Sequence, residues 1–160
     1  VHSDIQAMDG VCVEARLWRE GDASGYALIF AATNDEKLNA AVSCEAQSRA
    51  IPVNVVDDPD KCSFIVPSCV RRGDLLISVT TSGKSPALCK RIRLDLEKLY
   101  EPEFAEFVDL LGELRDAVKC KYSEQADREA AFGRLIDCGI MELLRSGERD
   151  QARKKALECI

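Results

Sequence analysis

The sequence holds a single histidine, His2, and its eight cysteines include no C-x-x-C pair. A zinc site of the usual His/Cys spacing therefore has no material to form from, and the scattered thiols read as small reduced hydrophobes rather than as a disulfide framework. No G-x-G-x-x-G or variant occurs anywhere, so the chain shows no glycine-rich turn to cradle a pyrophosphate. The longest apolar run, Tyr26 to Ala32, is strand-sized and far short of a membrane span. Nothing near Val1 has the order of a signal peptide. Basic runs interleaved with aromatics are also missing and the net charge is -6, which argues against nucleic acid as a partner. The cytoplasm is the expected compartment, and neither membrane nor nucleic acid is an expected partner.

What is present suits one modest domain, or a small domain with a helical appendage: 160 residues, 46% of them hydrophobic. Val11, Val13, Ala15 and Leu17 alternate with Cys12, Glu14 and Arg16, the period of a half-buried strand. Tyr26 to Ala32 is continuously apolar, as in a central parallel strand covered on both faces. Asn34 is the expected N-cap of a helix running to about Arg49, with Leu38, Ala41, Val42 and Ala46 inward and Lys37, Glu45 and Arg49 wet. Ile51 to Val56 returns as a strand. This strand-helix-strand unit is half of a doubly wound sheet, in which ligands lie outside the carboxyl ends of the strands. Thr33-Asn34 and Asp57-Asp58 should then face one crevice.

Further on, Cys62 to Pro67 and Leu75 to Val79 read as a hairpin turning at Arg71-Arg72-Gly73-Asp74. Arg71 and Arg72 read first as a solvated pair. Ser85 and Pro86 open a helix with Leu88, Ile92, Leu96 and Leu99 on one stripe. Pro102 starts another, carrying Phe104, Phe107, Val108, Leu111, Leu114 and Val118. Ser123 and Ser146 are the expected caps of two more, the first broken near Gly139. The fold class expected is α/β: a partial Rossmann-like parallel sheet over residues 1–60, a hairpin and loop region over 61–86, and a helical domain over 87–160.

Two stretches carry candidate chemistry. A carboxylate at the mouth of an apolar strand can be partly desolvated and act as a general base, and of the pair Asp57, nearer the strand, is the one to face a site. Read as residues alone, Asp-Asp-Pro-Asp is turn chemistry before it is a base. Ser82-Gly83-Lys84-Ser85 lacks the earlier glycine of a nucleotide-triphosphate loop. What remains is a helix N-terminus with a lysine and hydroxyls, suited to a carboxylate or phosphate, or simply to capping.

Ala31-Ala32-Thr33-Asn34-Asp35, Asn39, Asn54-Val55-Val56-Asp57, Ser63-Phe64-Ile65-Val66-Pro67 and Gly83-Lys84-Ser85-Pro86 together, in order and spacing over roughly residues 24 to 100, closely resemble the precorrin-2 dehydrogenase family, found alone or as the N-terminal part of siroheme synthase. The resemblance implies NAD-dependent oxidation of precorrin-2 to sirohydrochlorin and, in some members, insertion of ferrous iron to give siroheme. It implies a homodimer built through the hairpin and helices. Asp57 matches the family aspartate implicated as general base and in metal insertion, where it would meet Fe2+ transiently. Thr33 and Asn34 match the approach to the cofactor, and Asp4 or Ile5 would lie near the adenosine. Ser82, Lys84 and Ser85 match the loop facing the substrate. The resemblance also leads to the expectation of a glycine-rich strand-turn-helix upstream of Val1. Two other functions stay open: a non-catalytic tetrapyrrole-binding or assembly module, and a chelatase alone.

Overall fold

The computed structural model describes residues 3–160, excepting the side chains of Ser3 and Gln6. The chain divides into two compact units, the first ending at Val66 and the second spanning Pro67–Ile160.

The first unit begins with the short helix α1 (Ser3–Gln6), followed by irregular chain to β1 (Ile29–Ala31). Helix α2 (Glu36–Ser48) crosses to β2 (Val53–Val55), which pairs parallel to β1 with Ile29 opposite Val53 and Ala31 opposite Val55. Ala31, Val42, Ala46, Val53 and Val55 form the core, with Trp18, Leu38 and Cys62 packed on it. The strand-helix-strand unit thus forms as expected. Its buried helical face is rotated from the expected stripe: Asn39, Val42, Ser43 and Ala46 are inside, whereas Ala41 is exposed. Glu45, expected to be wet, has only 9% of its side chain exposed. Its carboxylate accepts from the Gly21 N–H at 3.0 Å and pairs with Arg49 at 3.1 Å.

Three further expectations in this unit are corrected. The central strand is short, with β2 as its single sheet neighbour among the described residues, and it is covered on one face only, Tyr26, Leu28 and Phe30 being exposed. The strand over Val11–Leu17 does not form, and Val11, Val13 and Leu17 are exposed. Alternation makes a strand only where a neighbour accepts its backbone groups, and no described strand lies beside this segment. Arg16 is tied down instead by a bidentate pair to Asp22, at 2.5 and 2.9 Å. That guanidinium, with the Arg19 N–H, holds the Asp22 carboxyl at about 2. The cap of α2 is Asp35, not Asn34: its Oδ1 accepts from the Lys37 and Leu38 amides at 2.9 and 3.2 Å.

The second unit opens with the antiparallel hairpin β3 (Ser68–Arg72) and β4 (Leu75–Val79), Val70 facing Ile77. The first hairpin strand lies later than the expected Cys62–Pro67. That earlier stretch serves β2 instead: the Ser63 N–H donates to the Val53 carbonyl and Ser63 Oγ accepts from the Val53 N–H, both at 2.8 Å. At the turn Gly73 has φ +56°, a conformation that favours glycine, and a Cβ there would stand a tight 3.1 Å from Ala105 Cβ. Arg72 is not a solvated cation. Its Nε and Nη2 donate to the carbonyls of Tyr100 and Glu97 at 2.8 and 3.2 Å, satisfying the end of α3 (Pro86–Leu99).

Helix α3 starts as expected, with Ser85 as cap and Pro86 at its first position. Helices α4 (Phe104–Glu113), α5 (Arg115–Lys121), α6 (Gln125–Asp137), α7 (Ile140–Arg145) and α8 (Arg149–Glu158) complete the chain. Gly139, at φ +78°, makes the expected break between α6 and α7. The other two serine caps are corrected. Glu124 and Glu148 precede α6 and α8, and Ser146 Oγ donates back to the Leu143 carbonyl at 3.0 Å. Phe107, Leu110, Val118, Leu135, Ile140, Leu144, Ala152 and Ala156 form the core of these helices. Outside it, Arg149 and Arg153 of α8 pair with Glu106 and Glu113 of α4. No helix among the described residues is long and apolar enough to cross a membrane.

Leu135 is fully buried at the centre of this helical core. Leu135→Ala should therefore lower stability by about 2–5 kcal/mol, read as an earlier midpoint in urea unfolding followed by circular dichroism.

Candidate active-site crevice

Parallel strands deliver their following loops to the same end of a sheet, so β1 and β2 bring Thr33, Asn34, Asp57 and Asp58 to one place. There they line a crevice of about 380 Å³ together with Ala32, Glu36, Asn39, Val55 and Val56. The expected juxtaposition of Thr33-Asn34 with Asp57-Asp58 is thus present.

Each wall is held by a side chain that takes its place from the core beneath. On the β1 side, buried Asn39 reaches up from α2 to Thr33. Its Nδ2 donates to the Thr33 carbonyl at 2.9 Å, and its Oδ1 accepts from the Thr33 N–H at 3.2 Å and from Thr33 Oγ1 at 2.8 Å. The amide thereby imitates a strand neighbour for one residue. Thr33 Oγ1 also accepts from the Asp35 N–H at 3.2 Å, carrying the constraint into the helix cap. Asn34 and Thr33 are exposed towards the crevice mouth.

On the β2 side the chain turns between Val55 and Asp58, where the Asp58 N–H donates to the Val55 carbonyl at 3.3 Å. Asp57 sits in this turn with φ +61°, a left-handed conformation that aspartate tolerates better than most residues but that still carries strain. Its carboxylate makes no hydrogen bond or ion pair with any described residue and is exposed. The partial desolvation expected of it is therefore not supplied by this unit. Asp58 is different: it pairs with Lys61, and that bond raises the lysine's pKa.

Ser82, Lys84 and Ser85 belong to the second unit. Ser82, at φ +54°, and Gly83, at φ +79°, bend the chain into the start of α3. The Ser85 N–H donates to Thr81 Oγ1 at 2.9 Å, while Ser85 Oγ accepts from the Leu88 N–H at 3.3 Å. The Ser85 oxygen is thus committed as a cap. Lys84 is exposed, with no ion-pair partner among the described residues. Asp4 and Ile5 lie in α1, both exposed and outside the residues lining the crevice.

Sequence reasoning gave no role to Asn39 or Cys62. Asn39 was detectable in principle, as a polar residue one position from the apolar stripe of α2. Cys62 has, like the other thiols, the sequence context of a small hydrophobe. Its sulfur instead lies within hydrogen-bond distance of the Val55 amide and of the Val55 and Asp58 carbonyls. Cys138 fits the hydrophobe reading better, its thiol pushed up to about 11 by burial and by the neighbouring Cys159.

Residues 3–68 match the family model described as "Putative NAD(P)-binding", and residues 103–159 match that of the sirohaem synthase dimerisation region. A siroheme synthase of Vesicomyosocius okutanii subsp. Calyptogena okutanii (strain HA) is 38% identical over 138 residues, 86% of this chain and 30% of that protein. The chain is thus similar to siroheme synthases over most of its own length. Another siroheme synthase, from Ectopseudomonas mendocina (strain ymp), is 34% identical over 157 residues, covering 96% of this chain and 34% of its own length. The chain therefore spans about a third of the siroheme synthases it matches. A solved structure, "SirC, precorrin-2 dehydrogenase", shares the fold, with a TM-score of 0.65 and 24% identity over 89% of this chain and 70% of that one.

The crevice of this siroheme synthase relative depends on the Asn39 clamp. Asn39→Ala removes the clamp's bonds to Thr33, which water can partly replace at this exposed residue, and should cost about 0.5–1.5 kcal/mol of stability. Faster hydrogen exchange at the Thr33 amide, with the α3 amides unchanged, is the expected local signature.

Proposed function

We propose that the chain forms part of an NAD-dependent precorrin-2 dehydrogenase that makes sirohydrochlorin for siroheme. The observation that carries this reading is the crevice, in which an exposed carboxylate on a left-handed turn stands across from Thr33-Asn34 at the carboxyl end of parallel strands. The match of residues 3–68 to an NAD(P)-binding family supports the same reading.

The fit to the cofactor is partial. The crevice has room and polar walls for a nicotinamide riboside end, with Thr33 and Asn34 as the residues that hold it, and Asp4 and Ile5 assigned to the adenosine side. A pyrophosphate cradle is not among the described residues, in keeping with the missing glycine-rich motif. When bound, NAD supplies the hydride acceptor. Asp57 receives the proton that leaves as the macrocycle gains its double bond, so that precorrin-2 and NAD+ yield sirohydrochlorin, NADH and one proton. In the second unit, the exposed Lys84 with the Ser82 hydroxyl and the remaining O–H of Ser85 offers a cation and donors suited to the carboxylates of such a substrate. In the first unit, Glu36, Asp57 and Asp58 put carboxylates around the crevice mouth, Asp58 being paired with Lys61.

The region of residues 103–159 supports a homodimer as the working form. The same acidic mouth favours the approach of ferrous iron as a second substrate, with Asp57 as its transient ligand. The described residues contain no cluster of three or more metal-ligating side chains.

Asparagine accepts the left-handed conformation well, so Asp57→Asn should leave stability within about 0.5 kcal/mol of wild type. In the intact natural protein, wild type should convert precorrin-2 to sirohydrochlorin with one NADH formed per molecule. Asp57→Asn should lower kcat by about 100-fold or more. Unchanged turnover in this folded variant would remove Asp57 as the base, and sirohydrochlorin formation without NADH would remove the NAD-dependent reaction.

A further inference from the structure

Asp57 reaches the crevice with no side-chain partner of its own, so its aim is set by the backbone that carries it. That backbone is a four-residue turn from Val55 to Asp58, closed by one long amide-carbonyl bond of 3.3 Å. The thiol of half-buried Cys62 provides a second closure. Cys62 Sγ accepts from the Val55 N–H at 3.1 Å, and the Asn54 Nδ2 group approaches it at 3.5 Å. Its single S–H lies between two carbonyls, that of Val55 at 3.3 Å and that of Asp58 at 3.2 Å. Both ends of the turn are therefore tied to one sulfur atom. Sulfur suits the position because its long bonds and diffuse lone pairs let one atom serve donors and acceptors spread over a wide angle. A hydroxyl, with a bond to carbon shorter by about 0.4 Å, cannot sit equally close to all of them.

Cys62 itself is fixed from outside the turn. Its N–H donates to the Pro59 carbonyl at 3.1 Å, and the next residue, Ser63, is locked to both backbone groups of Val53. The sulfur is thus anchored to β2, and the turn is anchored to the sulfur. The Asp58–Lys61 ion pair restrains the far side of the same loop but leaves Val55 untouched. Individually these sulfur contacts are weak, and their value lies in biasing a strained left-handed residue towards one conformation.

We propose that Cys62 is a positioning residue for the dehydrogenase reaction, its thiol holding the Val55–Asp58 turn in the conformation that aims Asp57 into the crevice. The inference rests on the reading of Asp57 as the base. It places Cys62 out of contact with substrate and cofactor, so its loss acts on the chemical step and not on binding.

The test uses the intact natural protein with precorrin-2 and NAD, comparing Cys62→Val, Cys62→Ser, Asp57→Asn and the double variant Cys62→Val/Asp57→Asn. Valine keeps the volume and removes the polarity. Cys62→Val should lower kcat about 10-fold or more while KM for precorrin-2 and Kd for NAD stay within about twofold. Cys62→Ser should recover part of kcat. The double variant should be no slower than Asp57→Asn alone, because a residue that acts through Asp57 has nothing left to aim. Wild-type kcat in Cys62→Val overturns the proposal, as does a loss confined to KM, or a double variant slower than Asp57→Asn by the full Cys62→Val factor. Should Cys62→Val fail to fold, Cys62→Ser decides alone: reduced kcat at constant KM upholds the proposal and wild-type kcat overturns it. If Asp57→Asn turns over normally, the base assignment itself has failed, a result distinguishable from a normal Cys62→Val beside an inactive Asp57→Asn.

Discussion

The first unit depends on a parallel ladder of only three residue pairs, Ile29 with Val53, Phe30 with Asn54 and Ala31 with Val55. So short a pairing cannot position loops by its own hydrogen bonds. The loops at its carboxyl end are fixed instead by side chains that stand in for missing strand neighbours. Asn39 pairs with the backbone of Thr33, Ser63 with that of Val53, and Cys62 with that of Val55. Each of these polar groups is carried on α2 or on the chain just after β2, and each is satisfied within the unit. The crevice is therefore a consequence of how the protein finishes the ends of its sheet.

This construction ties the crevice walls down through hydrogen bonds and leaves the crevice chemically open. Thr33 is held through backbone and hydroxyl, so Asn34 next to it presents its side chain from a fixed base. Asp57 is held through the turn beneath it and leaves both carboxylate oxygens available. Strain at a residue whose side chain does nothing structural is a pattern associated with function, since a glycine would serve the turn more cheaply.

Features specified by neighbours in the chain were legible from sequence. The β1-α2-β2 crossover, the Ser85 cap with Pro86, and the break at Gly139 all follow from local pattern, and all stand in the structure. Features decided by distant partners were not. Alternation at Val11–Leu17 looks like a strand but finds no described neighbour, and Ser123 and Ser146 look like caps while glutamates take the positions. The carboxylates of the site could be read from the strand ends. The sulfur beneath them could not, because a thiol's role depends on which backbone groups the fold brings to it.

On the proposed function, the end of this short sheet receives the nicotinamide half of NAD. Titrating isotope-labelled intact protein with NAD and following backbone amide signals tests it most directly. Thr33, Asn34, Val56 and Asp57 should shift together with a single apparent Kd. Saturating NAD that moves signals elsewhere and leaves these four unchanged would contradict it.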